Sequence, residues 1–468
     1  MIGGRMRRIV VIGGGVSGLA AAHRVLEFGH HVTLLEASSR LGGTIQTTHR
    51  DGFLLERGPD SFISEKPEAL QLAKRLGLES QLIQTNEEYR RSFIVGNGRL
   101  RAVPEGFQLL APSRLWPFLT SDIFSLGAKA RIAMDLFLPR KGTNGTQDES
   151  LASFVRRRLG QEALDRMAQP MVGGIYTADP ETLSLRATLP RFLDMEREHR
   201  SLILAMLRQG QAQKSGTSGA RYSLFLSFDR GMQVLVDELG SLKADVRLNT
   251  RVESLKFDRT WTITTNAGEQ FEAESVCLAV PAYIAASLLN GSVAAKLNQI
   301  KYASTATINF AYKRSDVNHP LNGFGFVVPL IEKRSLIACT FSSVKFSGRA
   351  PSGHVLLRAF AGGALQPEIF ALDESEMAAR VEADLRELLG INANPLFTEV
   401  AKWERSMPQY EVGHLDRVDE IEKELSKLPG LTLAGNAYRG AGIPDCIRSG
   451  QSAAESILTY LKPPPTPH

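Results

Sequence analysis

The sequence predicts a mixed α/β protein, and three observations support this prediction. First, a short β-rich run, Arg8–Ile12, enters a glycine turn and a helical pattern, and 31–36 follows as a second buried strand, which completes a βαβ unit. Second, strand patterns return at 245–282 and at 305–360. Third, 91–208 is rich in Pro, Trp, Phe and Leu and has a mostly helical pattern. The helical segment therefore interrupts a fold that is otherwise built from strands and helices.

Composition and charge exclude several classes of protein. The chain has 468 residues, 43% hydrophobic and 22% charged, which is typical of a globular protein with a large core and two or three domains. Its formal charge of +5, from 55 basic and 50 acidic residues, is too small a bias to indicate a nucleic-acid partner. An anionic small molecule or an anionic membrane surface stays compatible with it.

The cysteines and histidines predict neither a disulfide framework nor a metal site. Cys277, Cys339 and Cys446 are far apart and form no CxxC pair, and the nine histidines have no metal-like spacing. Residues 1–6 contain no apolar signal segment, and no run reaches 18 uninterrupted apolar residues. We therefore expect a cytoplasmic protein whose contact with a membrane, if it has one, is peripheral.

The glycine turn after the first strand has the GxGxxG spacing of a dinucleotide-binding loop. Gly13 allows the tight turn, Gly15 lets the backbone approach a pyrophosphate, and Gly18 lets the helix pack against the strand. Glu36 ends the second strand, where its carboxylate can accept hydrogen bonds from ribose hydroxyls. Strand, helix and acidic residue are all in place, so the sequence predicts dinucleotide binding.

Two further segments favour FAD over NAD as the dinucleotide. The stretch 40–44 (RLGGT) resembles the RxGG signature on the flavin side of this fold, and 56–61 (ERGPDS) resembles the loop that follows it. Near the other end of the chain, 433–445 has three glycines between a strand and a helix. That segment repeats the close-approach pattern of the first loop. The cofactor cradle is therefore expected to draw on both ends of the sequence.

These features occur together with longer motifs of one enzyme family. The chain resembles the oxygen-dependent protoporphyrinogen and coproporphyrinogen oxidases of haem biosynthesis, which are amine-oxidase-like flavoproteins. The resemblance covers nearly the whole chain and is carried by 170–184 (PMVGGIYTADPETLS), 228–235 (FDRGMQVL), 341–351 (FSSVKFSGRAP), 407–414 (MPQYEVGH) and 437–446. Distributed motifs of this kind are more specific than a single glycine loop.

The resemblance implies a three-part architecture. It consists of a Rossmann-like FAD-binding domain of the p-hydroxybenzoate-hydroxylase type, a β-sheet substrate domain and an inserted helical domain. The expected boundaries place the FAD-binding domain at 1–87, 206–282 and 401–468, the helical, membrane-facing domain at 88–205 and the substrate-binding domain at 283–400.

The resemblance also implies which residues contact the cofactor, which is FAD held without a covalent bond. The expected contacts are Gly13, Gly15, Val16, Ser17, Gly18, Glu36, Ala37, Arg40, Gly43, Thr44, Gly58, Pro59, Asp60, Ser61, Val252, Trp403, Gly442, Ile443, Pro444 and Asp445. Among these, Val252 is expected to act through its backbone groups near the adenine.

The implied reaction removes six electrons from a porphyrinogen in three flavin cycles, with O₂ as the oxidant and H₂O₂ as the by-product. The Gly174 carbonyl is expected beside the reacting carbon, with Ile175 next to it, and Arg91 is expected to meet a propionate because a guanidinium suits a carboxylate. The expected clamps on the faces of the macrocycle are Phe324, Phe326 and Phe360.

Several alternatives stay open at this point. A flavin amine oxidase shares the fold but usually carries a strand lysine, where this chain has Asn309, and no cysteine for a covalent flavin bond lies near 436–438. Arg91 and 170–184 disfavour a phytoene-desaturase-like enzyme. The substrate-side motifs disfavour a non-catalytic FAD sensor or membrane-assembly factor. Protoporphyrinogen IX and coproporphyrinogen III are not distinguished.

The partners are equally open. The segment 109–126 carries Trp116, Phe118 and Phe124 among Leu and Pro, and it is interpreted as a membrane-interface patch or as a wall of the substrate channel. Besides the porphyrinogen and O₂, a handover of product to the next haem-pathway enzyme is expected. The oligomeric state is not readable from the sequence.

Overall fold

The elements that build the fold are taken from a computed structural model, which describes residues 7–104, 107–108, 111–112, 114–140, 148–212, 224–241 and 243–462. In chain order, the strands are β1 Arg8–Ile12, β2 His31–Leu35, β3 Thr47–Arg50, β4 Phe53–Glu56, β5 Phe62–Ile63, β6 Leu82–Gln84, β7 Phe93–Gly96, β8 Arg99–Ala102, β9 Phe107–Gln108, β10 Ala111–Pro112, β11 Phe225–Phe228, β12 Asp245–Arg247, β13 Val252–Phe257, β14 Trp261–Thr265, β15 Gln270–Ala273, β16 Ser275–Leu278, β17 Tyr302–Lys313, β18 Gly325–Val327, β19 Ala338–Phe341, β20 His354–Gly362, β21 Phe397–Pro408 and β22 Leu431–Leu433.

The helices are distributed along the whole described chain. In chain order, they are α1 Val16–Glu27, α2 Pro67–Arg75, α3 Leu115–Thr120, α4 Leu126–Ala133, α5 Leu151–Arg158, α6 Gln161–Ala163, α7 Gln169–Tyr176, α8 Leu185–Thr188, α9 Pro190–His199, α10 Leu202–Ala212, α11 Gln233–Gly240, α12 Ala282–Leu288, α13 Gly291–Asn298, α14 Ser342–Lys345, α15 Pro367–Ala371, α16 Glu374–Leu389, α17 His414–Leu425 and α18 Ile443–Tyr460.

A parallel sheet of five strands, in the order β12-β2-β1-β16-β22, gathers distant parts of the chain. On β1, Ile9 and Val11 pack into one apolar core with α1 and α18, while Val10 and Ile12 pack into another with α12 and α17. A parallel sheet is stable when both faces are buried, which explains the unbroken apolar run of β1. The predicted βαβ unit is confirmed as β1–α1–β2.

A second sheet of seven strands, in the order β21-β17-β20-β19-β18-β7-β8, has two different faces. Along β17, Ile308 and Phe310 point into an apolar core shared with α16. Thr307 and Asn309 alternate with them and therefore point to the opposite face, because side chains alternate along a strand. That opposite face meets loop 56–61, described below.

The segment 88–205 differs in part from its prediction as mostly helical. Its strands β7 and β8 join the seven-stranded sheet, and the rest forms a helical core around residues such as Phe154 and Phe192. The pattern at 151–167 predicts one helix, but α5 ends at Arg158 because Gly160 has φ +96°. The domain boundaries themselves stay a prediction.

Two structural observations concern membranes and metals. Among the described residues, no helix is both long and apolar enough to cross a bilayer. Within the same part of the chain, no group of three or more His, Cys, Asp or Glu side chains is placed to hold a metal ion.

Candidate active site

The first glycine loop, 13–18, is shaped by two contacts that leave no room for side chains. Gly13 has φ +108°, and a Cβ there would lie 2.3 Å from the Ala279 carbonyl oxygen. A Cβ on Gly18 would lie 1.9 Å from the Gly13 carbonyl oxygen. By contrast, a Cβ on Gly15 would meet no protein atom within 4 Å, so open space lies over the N-terminus of α1. Space and amide donors at this position suit an anionic group.

Glu36 stands beside this open space. Its carboxylate accepts hydrogen bonds from the backbone N–H groups of Gly14, at 2.6 Å, and Ser38, at 2.8 Å, which fix its orientation and leave further lone pairs for a ligand. Ala37 follows directly in the chain, and the Glu36 carbonyl accepts from the N–H of Thr250 at 2.8 Å. That bond brings the start of β13, and hence the buried Val252, to the same end of the parallel sheet.

The arginine–glycine loop, 40–44, lies directly on the first glycine loop. Gly42 N–H donates to the Gly14 carbonyl at 2.8 Å, and a Cβ on Gly43 would lie 3.4 Å from the Gly15 Cα. Arg40 closes the loop on itself, because its guanidinium donates to the carbonyls of Leu41, Gly43 and Ile45. The two predicted segments are therefore one packed unit.

Loop 56–61 continues this unit and is fixed by Gly58. A Cβ on Gly58 would lie 1.8 Å from the Thr44 carbonyl oxygen, so only glycine lets the two loops touch. Pro59 and Asp60 follow, and the Ser61 hydroxyl donates to the Asp60 carboxylate at 2.7 Å. The contact between Gly58 and Thr44 packs loop 56–61 directly on loop 40–44.

The face of the seven-stranded sheet that carries Thr307 and Asn309, named the polar face below, binds the backbone carbonyls of loop 56–61. Asn309 donates to the Glu56 carbonyl at 3.3 Å, and Arg358 donates to the Gly58 carbonyl at 2.9 Å. The carbonyl between them, that of Arg57, accepts from the Thr307 hydroxyl and, at 2.8 Å, from the indole N–H of Trp403. The indole N–H of Trp403 therefore binds the loop; its ring lies under the Arg40 guanidinium, 6.0 Å away.

Buried charges anchor the far end of the same loop. Asp60 is 9% exposed, and its carboxylate pairs with the Lys345 ammonium at 3.1 Å and the Arg358 guanidinium at 3.3 Å. Burial opposes ionisation of Asp60, but Arg358 and Lys345 outweigh it and hold the pKa of the carboxyl well below its usual range. Asp60 is thus ionised, and its carboxylate binds side chains of the protein.

The C-terminal part of the cradle packs on the first part through α1 and α18. A Cβ on Gly450, in α18, would lie 2.1 Å from the Ser17 carbonyl oxygen, so the two helices cross in direct backbone contact. Gly442 caps α18, and Ile443, Pro444 and Asp445 form its first turn. The buried carboxylate of Asp445 pairs with Lys66 at 2.6 Å and also with Arg448. A Cβ on Gly435 would meet no atom within 4 Å.

The segment 407–414 fixes the C-terminal glycine turn, a role that the sequence did not predict. The Tyr410 hydroxyl donates to the Asn436 carbonyl at 2.5 Å and accepts from the Gly440 N–H at 2.9 Å. The Tyr410 ring stacks on His414 with 4.1 Å between centroids, and the Nε2 atom of His414 lies 2.8 Å from the Tyr438 carbonyl oxygen. Burial lowers the pKa of His414 to about 4, so the imidazole is neutral and donates this bond.

The cradle fits a dinucleotide. Open space over Gly15 and Gly435, amide donors at the start of α1 and a fixed carboxylate on Glu36 lie along one packed surface. A Cβ at Gly15 or Gly435 would enter that space rather than the protein, which is the mark of a surface shaped for close approach.

The end of α7 presents Gly174 above the polar face. Gly174 and Ile175 are exposed, and a Cβ on Gly174 would lie 3.6 Å from Val327. Thr177 ends the helix with φ +49°, so the Gly174 carbonyl lies in the last turn, where the helix supplies no donor. In the described part of the chain no backbone N–H outside the helix donates to it either. It is a free acceptor on an exposed helix end.

The remaining substrate-side predictions divide into two groups. Phe324 is half-buried, and its N–H donates to the Arg91 carbonyl at 2.8 Å, so these residues are adjacent. Phe360 is half-buried over Arg358, whose guanidinium lies 4.8 Å from the ring centroid. Phe326 is not brought together with them: it is 2% exposed and packs 6.0 Å from Phe341 in the opposite core.

The misplacement of Phe326 has a simple cause. Side chains alternate along β18, so Phe326 and Val327 face opposite sides of the sheet, and it is Val327 that packs towards α7. The sequence pattern could not decide which of the two faces is the substrate side. Phe118 and Phe124, expected in a membrane-interface patch or a wall of the substrate channel, are core residues with rings 5.8 Å apart, and only Trp116 of that trio is exposed. Part of 109–126, including Leu109, Leu110 and Ser113, lies outside the described residues.

Residues 16–458 match the family of flavin-containing amine oxidoreductases. The chain belongs to this family. Its cofactor is therefore FAD, and it is a flavin-dependent oxidoreductase.

Several proteins of similar sequence are porphyrinogen oxidases. A coproporphyrinogen III oxidase of Bacillus subtilis (strain 168) is 37% identical, over 97% of this chain and 98% of its own. Protoporphyrinogen oxidase 2 of Arabidopsis thaliana is 30% identical, over 97% and 94%. The crystal structure of a candidate protoporphyrinogen oxidase from Exiguobacterium sp. 255-15 aligns with a TM-score of 0.87 at 30% identity, covering 98% of this chain and 100% of that one. The chain belongs to this group of the flavin oxidoreductases.

The amine oxidases of the family share the fold alone. Cyclohexylamine oxidase from Brevibacterium oxydans IH-35A aligns with a TM-score of 0.70 at 16% identity, over 98% of this chain and all of that one. At the position expected to replace the amine-oxidase lysine, Asn309 supports loop 56–61 instead. A lysine does lie under this loop, but it is Lys345 on α14, with its ammonium paired to Asp60.

Proposed function

We propose that this protein oxidises coproporphyrinogen III to coproporphyrin III with FAD and O₂. The observation that carries the oxidation itself is the carbonyl of Gly174 on the exposed end of α7, which accepts no hydrogen bond from the described residues. A porphyrinogen presents pyrrole N–H donors, and such an acceptor can hold them in one orientation. When bound, FAD supplies two-electron oxidation, and reoxidation by O₂ releases H₂O₂.

The protein's own residues would bind and orient the macrocycle. Ile175 follows Gly174 in the chain and Val327 packs towards it, and the half-buried Phe324 and Phe360 would add further apolar surface. A large ring binds through such surface together with a few placed polar groups. Val327 and Phe360 lie on strands of the sheet that holds loop 56–61, and Phe324 directly precedes β18 of that sheet.

Two observations favour coproporphyrinogen over protoporphyrinogen. Two relatives named coproporphyrinogen III oxidase are 37% and 34% identical and a third is 30% identical, whereas the similar plant protoporphyrinogen oxidases are 29–31% identical. Arg90 and Arg91 line an open groove of about 460 Å³, and neither guanidinium has a hydrogen-bond or ion-pair partner among the residues that the structure describes. Coproporphyrinogen has two more propionates than protoporphyrinogen. Unpaired guanidinium groups can donate hydrogen bonds to these carboxylates.

The position of Arg91 suits such a contact. The Arg91 carbonyl accepts a hydrogen bond from the Phe324 N–H. Phe324 lies three residues before Val327, which corresponds to about 10 Å of extended chain. Arg91 would therefore meet the edge of a ligand whose centre lies at Gly174. The groove is also lined by Glu87, Glu88 and Asp122, which would repel a carboxylate. A preference for propionates over vinyl groups therefore depends on the guanidinium groups of Arg90 and Arg91.

Steady-state assays with both porphyrinogens, read by porphyrin fluorescence and H₂O₂ release, test this function. We expect kcat/KM for coproporphyrinogen III to exceed that for protoporphyrinogen IX at least tenfold. Arg91→Met should raise KM for coproporphyrinogen about tenfold, whereas Arg259→Met, an exposed arginine on a distant turn, should not. An FAD-loaded protein that oxidises neither compound refutes the proposal, and equal rates with both refute the substrate choice.

We also propose a peripheral membrane contact at α3 and α4. Trp116 is 75% exposed, Leu119 54% and Leu126 83%, and the ammonium of Lys129, on α4, donates to the Leu119 carbonyl at 2.7 Å. Exposed apolar side chains around a cation suit the surface of an anionic bilayer. Trp116→Ser with Leu126→Ser should reduce co-sedimentation with phosphatidylserine vesicles, whereas Leu248→Ser should not. Handover of product to another enzyme stays a prediction.

A further inference from the structure

The peptide group between Arg57 and Gly58 is held more tightly than its neighbours. Its carbonyl oxygen accepts two hydrogen bonds, from the Thr307 hydroxyl and the Trp403 indole N–H, both rising from the polar face of the seven-stranded sheet. A trans peptide is planar, with its C=O and N–H pointing in opposite directions. The two donors therefore also fix the direction of the Gly58 N–H, which points away from Thr307 and Trp403.

The Gly58 N–H has no acceptor within the part of the chain that the structure describes. The preceding amide is used, since Arg57 N–H donates to the Gln46 carbonyl at 2.9 Å, and the following residue, Pro59, has no N–H. Backbone donors are rarely left unpaired in folded proteins. A donor that is both aimed and unpaired is therefore a candidate for binding a ligand.

The next peptide is fixed in the same way. Arg358, which is 4% exposed, donates to the Gly58 carbonyl at 2.9 Å, and its guanidinium is held in turn by Asp60. Gly58 also abuts the Thr44 carbonyl, at the junction of loops 40–44 and 56–61. The peptide groups before and after Gly58 are thus both held by side chains from distant strands. Thr307 is 250 residues from Arg57, and Arg358 is 300 residues from Gly58.

We infer that the Gly58 N–H donates a hydrogen bond to the isoalloxazine ring of FAD, and that Thr307, Trp403 and Arg358 are positioning residues that aim it. The inference rests on the proposed cofactor site, and it does not depend on which substrate the enzyme oxidises. On reduction, electron density rises at N1 and at the carbonyl oxygens of the ring, which become stronger acceptors, and we take one of these atoms, rather than N5, as the partner of the Gly58 N–H. A fixed donor therefore favours the reduced form and raises the reduction potential of the bound flavin.

The test is the midpoint potential of the bound flavin in the full-length holoprotein, measured anaerobically against a reference dye and without porphyrinogen. Thr307→Val keeps the shape of the side chain and removes the hydroxyl, and Trp403→Phe keeps an aromatic ring and removes the N–H. Each should shift the ratio of oxidised to reduced flavin about tenfold towards the oxidised form, which is a fall of about 30 mV for a two-electron couple. The double variant should shift it further.

Two controls separate aiming from general damage. Thr307→Ser keeps the hydroxyl and should retain the wild-type potential. Thr265→Val makes the same change at a buried strand threonine whose hydroxyl also donates to a backbone carbonyl, that of Glu269 at 3.3 Å, and it should leave the potential unchanged. If Thr307→Val does not retain FAD, Trp403→Phe alone decides the matter.

An unchanged or raised potential in variants that still hold FAD overturns the inference. Because porphyrinogen is absent from the measurement, such a result leaves the proposed substrate untouched. Conversely, a lowered potential in a protein that oxidises no porphyrinogen supports the aimed donor while refuting the proposed function. The visible absorption bands of the bound flavin should move in the same variants, since a hydrogen bond to the ring changes its electronic environment.

Discussion

The first glycine loop, 13–18, and loop 56–61 are stabilised by different means. The first glycine loop is held by backbone against backbone, with Gly18 packed on the Gly13 carbonyl and Gly42 bonded to Gly14. Loop 56–61 is held by side chains from the sheet below it and by the buried ion pairs of Asp60. The first loop therefore depends on the absence of side chains, and the second on dehydrated charges. Removing one group should damage each loop in a different way.

The largest effect is expected at the charged loop. Asp60→Asn should lower the free energy of unfolding by about 3–5 kcal/mol, because the ammonium of Lys345 would stay buried without its partner. Chemical denaturation followed by tryptophan fluorescence measures this. Asp419→Asn is the matched control at an exposed pair with Arg439, and it should cost less than about 1 kcal/mol. Adding Lys345→Met to Asp60→Asn should recover part of the loss; no recovery would show that the pair is not the cause.

An intermediate effect is expected at the glycine loop, and it should separate folding from cofactor binding. Gly18→Ala places a Cβ 1.9 Å from a backbone oxygen and should destabilise even the apoprotein by about 1–3 kcal/mol. Gly15→Ala meets no protein atom, so the apoprotein should lose no more than about 1 kcal/mol while FAD affinity falls at least tenfold. Thermal melting of the apoprotein and fluorescence titration with FAD measure the two. Equal loss of affinity and apoprotein stability in Gly15→Ala would contradict the open space assigned to it.

The smallest effect concerns His414, which supports the C-terminal turn. Its pKa of about 4 in the folded protein lies below the unfolded value of 6.5, so the unfolded chain binds the proton more readily. Its contribution is complete above about pH 6.5 and is lost as the pH falls towards 4. Between pH 7 and 5.5 the loss should be about 1 kcal/mol. Arg417 and Arg439 reinforce the shift and Asp148 opposes it.

His414→Gln keeps a donor for the Tyr438 carbonyl and cannot titrate, so unfolding curves of both proteins across this range isolate the effect. Comparison with wild type is necessary because burial raises the pKa of Glu56 to about 7. That carboxyl contributes with the opposite sign, stabilising the fold as the pH falls, and it is present in both proteins. Identical pH profiles would show that His414 is not a neutral, buried histidine.

The sequence was most informative where local chemistry determines the structure. The βαβ unit is confirmed because an apolar strand, a glycine spacing and a helix are adjacent in the chain. Helix α16 begins at the Asp373 cap and ends at Gly390 with φ +63°, as the pattern at 373–390 predicts. The family was also recognisable, since its motifs are distributed over the chain. Each of these features can be read within a window of a few tens of residues.

The sequence was least informative where distant strands decide what a side chain does. Arg358 and Lys345 were not singled out, although they hold loop 56–61, because their partners lie 300 and 285 residues away. The twelve-residue strand β21 carries Lys402, Glu404 and Arg405 and lacks a clear alternation of apolar residues, so it was not predicted. Phe326 was placed on the wrong face because one residue of register inverts every side chain.

The contact between Gly450 and Ser17 has a consequence for how the enzyme is made. The same two helices are also joined by Arg24 and Glu455, which are 431 residues apart. While the ribosome is still synthesising the chain, the first glycine loop exists without α18 against it, and half of the flavin cradle is missing. Stable loading of the flavin would then have to wait until α18 has emerged. The yellow colour of bound flavin would thus appear only after α18 has been synthesised.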